Sequence, residues 1–510
     1  MASSISTYAL LLTFFTTLIS FFFITWRSKQ KFKNGKKLPP GPRPLPIIGN
    51  LHMLGQLPHR SLSNLAKKYG SIMSIRLGNV PTIVVSSPEA AELFLKIHDV
   101  VFASRPELQF SDYVSYGNKG FAFAPYGSYW RTVRKWCTLQ LLSSSKVELF
   151  EPIRRMEVES LVDRIKRAAA SGQVVDLSAK VVELMENIMY RMIIGRSKDD
   201  KFDLKPLIQE SLRLSGHFNI ADYVPFLAPL DLQDLIPQFE AIREGFNNFL
   251  EEIIDEHQQD KHNGQKKQHR DFVDVMLSHL DQPMNPNDES QLHIIDRTNI
   301  KAIIIEMIIG AVDTSAVAIE WAFSEILKHP RVKTQLQKEL EGVVGMTRMV
   351  EEADLPKLTY LDMVLKESLR LHPVAPLLIP RESLEEITIN EYHIPKKSRI
   401  LINTWAIGRD SNVWSDNAND FFPERFANSN IDIRGHNFQL IPFGSGRRGC
   451  PGMQMGLTNV RLVLAQLVHC FEWELPNGML PSDLSMSEKS GLTAPRAKHL
   501  LAMPVYRLQD

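Results

Sequence analysis

Cys450 lies in the run PFGSGRRGCPG, residues 442–452, with glycines at 444, 446, 449 and 452 and prolines at 442 and 451. So much glycine and proline around one thiol predicts a tight loop whose backbone closely approaches something. Arg447 and Arg448 sit beside the thiol, and nearby cations favour the thiolate. From Gln454 to His469 the pattern is helical, with Leu457, Leu464 and Leu467 among its apolar positions. The sulfur would then sit just before a helix N-terminus, where the dipole favours an anion. Two chemistries fit: a reactive nucleophile, or a thiolate ligand to a metal. A nucleophile wants a positioned histidine base, and no such signature is present. A single thiolate in a glycine-walled loop suits an axial ligand to a flat cofactor. The other cysteines, Cys137 and Cys470, read as small buried hydrophobes. Three cysteines without a CxxC pair argue against a disulfide framework and against a zinc cluster.

Other groups could do chemistry or hold it in place. Glu367 and Arg370 stand three apart in LKESLRLHP, on one helix face. By itself such a pair reads as a surface ion pair worth about 0–1 kcal/mol. Residues 302–328 form one long helical pattern, and its first part, AIIIEMIIGAVDTSAVAIEW, is very apolar. Glu306 and Asp313 interrupt it, so it is not read as a membrane span. Glu306, Asp313 and Glu320 are spaced by seven and make a polar stripe, while Gly310 and Thr314, four apart, share a neighbouring face. Gly310 and Ala311 let something large pack against the helix, and Thr314 can bond back to a carbonyl and bend it. The plain alternative is a buried core helix with one capped hydroxyl. Trp130 and Arg134 lie four apart in YWRTVRKW. Arg131, Arg134 and Lys135 could be a solvated basic face, or one that meets an acidic partner.

These groups need elements to carry them. Ser71–Leu77 and Thr82–Val85 read as strands around a Gly78–Asn79 turn. Helical patterns dominate from there to about residue 370, broken by the polar stretch 257–270, which reads as a surface loop. Thr388–Ile402 looks like short strands, and Asp410–Phe438 is an irregular stretch ordered by specific contacts. The fold class is mainly α with a small β part. The chain of 510 residues can bury a large core and enclose a cofactor. A formal charge of +1 gives no sign of a nucleic-acid partner.

The N-terminus departs from this. Residues 1–26 carry no charge, and Tyr8–Trp26 is nearly all apolar. As a helix that run is about 28 Å long, close to the hydrocarbon thickness of a bilayer. Nothing basic precedes it, so it reads as a retained anchor rather than a cleaved signal. Seven basic residues follow between Arg27 and Arg43, with no acid before Glu89. That asymmetry keeps the flank, and the chain beyond it, in the cytosol. Leu38–Pro46 holds five prolines in nine residues, a stiff hinge. The expected divisions are a transmembrane anchor over 1–26, a basic and proline-rich hinge over 27–50, and a single large domain over 51–510.

The nature of that last domain rests on a resemblance. The cysteine loop resembles the F-x-x-G-x-R-x-C-x-G signature of the cytochrome P-450 superfamily, supplying Phe443, Gly446, Arg448, Cys450 and Gly452. Glu367 and Arg370 resemble its E-x-x-R, and Pro423–Phe426 its P-E-R-F. Gly310–Ser315 resembles [AG]-G-x-[DE]-T-[TS], with Ala311 at the usual glycine. Trp130 and Arg134 resemble its W-x-x-x-R, and Arg381 its downstream propionate arginine. The hinge and cysteine loop look closest to plant microsomal A-type members. The resemblance implies that 51–510 is a haem-binding catalytic domain, holding haem b (iron protoporphyrin IX) with Cys450 as axial thiolate to the iron. It implies Phe443 beside the sulfur and Trp130, Arg134, Arg381 and Arg448 at the propionates. Asp313 and Thr314 would guide protons toward the iron, and Arg425 would join Glu367 and Arg370 in a buried structural network.

The implied reaction is a monooxygenation using O2 and electrons from NADPH-cytochrome P-450 reductase. The implied location is the endoplasmic reticulum membrane, single-pass in its lipid, with the catalytic domain facing the cytosol. By family position, the substrate pocket includes Phe121, Phe123, Ile309, Gly310, Val374, Leu378 and Leu492. Those mostly apolar walls suggest a small, largely apolar plant specialised metabolite: a phenolic, terpenoid or alkaloid. Two rivals are a haem isomerase or dehydratase working on hydroperoxides, and a non-catalytic haem sensor or scaffold. The Asp313–Thr314 pair argues against both.

Overall fold

The computed structural model describes residues 36–197, 204–262, 270–286 and 292–509, together with 12, 13, 16, 17 and 20. Those five early residues are helical. The rest of the apolar run, and the basic flank through residue 35, lie outside the described residues.

The architecture is mainly helical, with small sheets at its margins. Ile72–Leu77 and Val80–Val85 pair antiparallel around a two-residue turn. Gly78 adopts φ +58° there, and a Cβ on it would lie 2.3 Å from the Tyr223 carbonyl, so only glycine fits. Val80–Val85 then runs parallel to Arg399–Ile402, which pairs antiparallel with Arg381–Glu382. Arg381 is thereby buried in the last strand of a four-stranded sheet. A second sheet joins Val175–Asp176, Leu501–Tyr506 and Phe471–Glu474, and a hairpin joins Ile387–Ile389 to Tyr392–Ile394.

Arg297–Lys328 is the central helix. Asp296 caps it: its carboxylate accepts from Asn299 N at 2.7 Å, and the Asn299 side chain accepts from Asp296 N at 2.9 Å. Among the described residues it is the one helix long and apolar enough to span a bilayer, but it is buried inside the protein. Helix Leu177–Ile194, helix Thr359–Leu371 and helix Met453–Cys470 pack around it and share one large apolar core.

One expectation is corrected. The helix that begins at Ile236 runs to His262, into the polar stretch read as a loop. His257 is the reason: it is buried, with Nδ1 2.7 Å from the Ile253 carbonyl and Nε2 3.0 Å from Asp271. Polar groups with partners of this kind extend a helix that has no apolar face to offer.

Residues 408–425 are largely irregular, so their backbone has few ladder partners. Buried guanidiniums supply them. Arg370 and Glu367 are both fully buried, and Arg370 Nε and Nη2 each reach the Glu367 carboxylate at 2.7 Å. Arg370 also donates to the carbonyls of Gly408, Ala418 and Asp420. Arg425 Nε donates to Glu367 at 2.8 Å, and its other nitrogens reach the carbonyls of Trp414, Asn417 and Asp420. Phe422 N donates to the same carboxylate at 2.8 Å. One carboxylate is therefore shared by two cations that together hold this loop. Glu367→Ala leaves both cations buried without their anion, a loss of about 3–5 kcal/mol. The expected result is a clear fall in the thermal unfolding midpoint; an unchanged midpoint contradicts this account of the loop.

Candidate functional site

The cysteine loop closes on itself. Cys450 N donates to Phe443 O at 2.9 Å and Gly449 N to Gly446 O at 3.0 Å. Gly446 has φ +68°, and a Cβ there would lie 2.3 Å from Leu95 O. Glycine is required at that position, because the loop is pressed against a neighbouring segment. Asp99, on that segment, is buried and fastens the loop: its carboxylate accepts from Arg447 N and Arg447 Nη1, each at 3.0 Å, and from Arg381 Nη1 at 3.0 Å. Arg381 also donates to Ser445 O at 2.6 Å.

The sulfur follows a different logic from the one its neighbours suggest. Arg447 is turned outward to Asp99, and Arg448 donates to the carbonyls of Ala103 at 2.7 Å and Ala124 at 2.5 Å. Neither acts on the thiol. Burial pushes the Cys450 thiol above its ordinary range; the Gly452 N–H and the Arg134 cation pull the other way. A thiol so placed gives up its proton readily when a metal cation takes the proton's position. Cys450 is surrounded by protein yet its surface is accessible, so it faces interior space.

Four guanidiniums converge near that space. Arg105 donates to Ala122 O at 3.1 Å, Ile379 O at 2.6 Å and Pro380 O at 2.9 Å. Burial holds its pKa well below the usual arginine range, and Arg448, Arg381 and Arg134 lower it further. Arg448 is pushed down to about 9 by burial and then by Arg381 and Arg134. Arg448 also lies 4.0 Å over the Trp130 ring, whose indole N–H donates to Phe121 O at 2.9 Å. Arg134 donates to Gly449 O, beside the thiol. Arg131 and Lys135 are exposed on the same helix, so it is basic outside and cationic inside. A buried cationic cluster of this kind is a site for anions.

The central helix forms the opposite wall. Gly310 and Ala311 are exposed in the middle of an otherwise buried helix, and a Cβ on Gly310 meets nothing within 4 Å. Thr314 donates to Gly310 O at 2.6 Å. Glu306, one turn earlier on the same face, reaches the arginine cluster electrostatically and accepts from Phe121 N at 2.6 Å and Ala122 N at 2.8 Å. The expected polar stripe thus has a separate partner for each acid. Glu306 holds the 121–122 backbone, Asp313 accepts from Thr493 at 2.6 Å, and Glu320 accepts from Ser178.

The expected pocket residues have the following neighbours. Phe121 is buried under Trp130, and Phe123 meets Phe110 edge-on at 6.3 Å. Ala494 N donates to Val374 O at 2.9 Å, which brings the Leu492 segment to Val374. Leu378 takes φ +51°, a strained conformation for a leucine, beside Gly444 of the cysteine loop. Ile309 is half-buried next to Gly310. The separate cleft of about 670 Å³ beside the start of the central helix is lined by Glu107, Asp112, Lys119 and Asp296 and includes none of these residues.

The donor set, a single interior thiol with a cationic cluster and a side-chain-free helix face, fits a flat dianionic metal macrocycle such as haem. Sequence reading missed Arg105 and Asp99, and it placed Glu306 in a polar stripe without its partners. Arg105 could have been suspected from its place in SRPE, but Asp99 and Glu306 show their partners only once folded.

Comparison with known proteins agrees. The family model described as Cytochrome P450 matches residues 39–501. The chain is 59% identical over 476 residues to a Panax ginseng protein named Cytochrome P450 CYP736A12, covering 93% of this chain and 95% of that one. It is 44% identical to Cytochrome P450 71A1 of Persea americana, covering 87% and 89%. A zebrafish cytochrome P450 solved with abiraterone superposes with TM-score 0.73 at 24% identity, over 88% of this chain and all of that one, a likeness of fold.

Burial raises the Glu306 carboxyl to about 7, although backbone N–H groups oppose the shift. A carboxyl whose folded pKa lies above its unfolded value binds more protons when folded, so it costs stability as pH rises from about 4.5 toward 7 and beyond. Glu306→Gln keeps an acceptor for Phe121 and Ala122 and removes the charge. The variant should lose less stability than wild type between pH 5 and pH 8, by up to about 3 kcal/mol. Parallel denaturant unfolding at both pH values checks this; identical pH slopes contradict it.

Proposed function

The chain belongs to the cytochrome P450 family and is a haem-thiolate monooxygenase, and from that premise we propose that Cys450 is its iron ligand. The observation that carries this is one interior thiol, with Arg134 acting on it, beside a cluster of four guanidiniums of which three are buried. Haem b, bound through a cysteine sulfur, supplies the redox chemistry that activates O2 and places one oxygen atom in the substrate.

The chain's own residues then divide the work. Phe443 O fixes the Cys450 backbone, and Asp99 with Gly446 fixes the loop around it. Arg134, Arg381, Arg448 and Trp130 line the propionate side, where they offset the negative charge of the carboxylates. Arg105 adds a fourth cation to that side. Gly310 and Ala311 leave the helix face open, and Thr314, held to Gly310 O, sits with Asp313 at the turn that moves protons inward. A dry wall of Phe121, Phe123, Ile309, Val374, Leu378 and Leu492 takes a small, largely apolar substrate, a plant phenolic, terpenoid or alkaloid.

Electrons come from NADPH-cytochrome P-450 reductase, for which exposed Arg131 and Lys135 offer a basic approach. Residues 1–26 anchor the chain in the endoplasmic reticulum membrane, 27–50 form the hinge, and 51–510 form the catalytic domain facing the cytosol. The charge-free run before a basic flank supports that division.

Cys450→Ala should abolish the thiolate-type carbon monoxide difference spectrum of the reduced enzyme; retention of that spectrum contradicts the assignment. Thr314→Ala should divert reducing equivalents from product to hydrogen peroxide several-fold, measured as peroxide per NADPH consumed with reductase. Unchanged partitioning removes Thr314 from proton delivery.

A further inference from the structure

Asp313 is the acid of the central helix nearest Thr314, and its carboxylate is held from across the molecule. Thr493 Oγ1 donates to Asp313 Oδ2 at 2.6 Å. The donor comes from a loop 180 residues downstream, and three independent contacts fix that loop. Trp321 Nε1, two turns along the central helix from Asp313, donates to Ala494 O at 2.8 Å. Ala494 N donates to Val374 O at 2.9 Å. Gly216, at the end of helix Lys205–Ser215, approaches so closely that a Cβ on it would lie 2.5 Å from Leu492 N. Thr493 is therefore set in place by its backbone neighbours, and Asp313 receives a donor whose position it does not itself determine. Arg496, three residues on, faces Glu320 at 3.8 Å and not Asp313.

We propose that Thr493 is a positioning residue for proton delivery: its hydroxyl fixes the orientation of Asp313 beside Thr314. This rests on the reading of Asp313 and Thr314 as the proton path. The physical reason is burial. A carboxyl in this setting is driven toward its neutral form and can swing among rotamers, whereas a donor at 2.6 Å favours the ionised form and one orientation. An acid that must give up and regain a proton in each cycle needs both. The placement also ties proton delivery to the substrate wall, because Leu492 is the residue next to Thr493. Burial raises the Asp313 carboxyl and the Thr493 hydroxyl lowers it, in keeping with this geometry.

The test uses full-length ferric holoenzyme with Thr493→Val, Thr493→Ser and Asp313→Asn, the valine being close to isosteric without the donor. Thr493→Ala replaces it if the valine protein does not fold. The first readout is infrared titration of the protonated carboxyl band that disappears in Asp313→Asn. Its midpoint should rise by about one to two pH units in Thr493→Val and return in Thr493→Ser. The second is hydrogen peroxide released per NADPH oxidised with purified reductase and no added substrate. It should rise several-fold in Thr493→Val and Asp313→Asn, and return toward wild type in Thr493→Ser. If Asp313→Asn raises peroxide while Thr493→Val changes neither readout, the positioning role is overturned and the proton path stands. A peroxide rise in Thr493→Val without movement of the Asp313 band, or without rescue by serine, overturns it as a packing effect. If Asp313→Asn leaves peroxide unchanged, the proton path itself fails and takes this inference with it.

Discussion

Four guanidiniums close together, three of them buried, repel one another, and the fold tolerates them only because anions answer their charge. Within the chain, Asp99 pairs with Arg381 and Glu306 acts on Arg105 and Arg448 from the central helix. Backbone carbonyls from 103, 122, 124, 379, 380, 445 and 449 satisfy much of their hydrogen-bonding capacity but contribute no net negative charge. Carbonyl dipoles solvate a cation; they do not neutralise it. A haem, whose two propionates are anionic, would add negative charge to that cluster, and Cys450 would offer its iron the thiolate.

The rest of the architecture keeps that cluster in register. A different carboxylate, Glu367, anchors the loop at 408–425: it is shared by two arginines whose donors satisfy irregular backbone. Regular secondary structure would have satisfied those carbonyls without charge, but it could not have led the chain so tightly into the cysteine loop. The central helix connects both regions, with its acids facing outward from the open Gly310 face to three different neighbours.

What the sequence made legible was local. The cysteine loop, the E-x-x-R pair, the strands around Gly78 and the long central helix are each set by residues within a few turns of one another, so spacing alone reveals them. What it concealed was pairing at a distance. Asp99 meets Arg381 and Arg447, Glu306 meets the backbone at Phe121, and Thr493 meets Asp313, each across 180 or more residues of chain, and no periodicity encodes such contacts. The adjacency of Arg447 and Arg448 to Cys450 misled for the same reason: neighbours in sequence point to different partners once folded. His257 was hidden by its polar surroundings, because a buried hydrogen-bonded histidine looks like a loop residue until its partners are known.

The central claim is that the sulfur of Cys450, and no other side chain, binds the iron. Iron K-edge X-ray absorption of the purified ferric protein measures this directly. The account predicts one sulfur among the nearest neighbours of the iron in wild type and none in Cys450→Ala. A nearest shell of nitrogen and oxygen alone in wild type, or a sulfur that persists in Cys450→Ala, would contradict it.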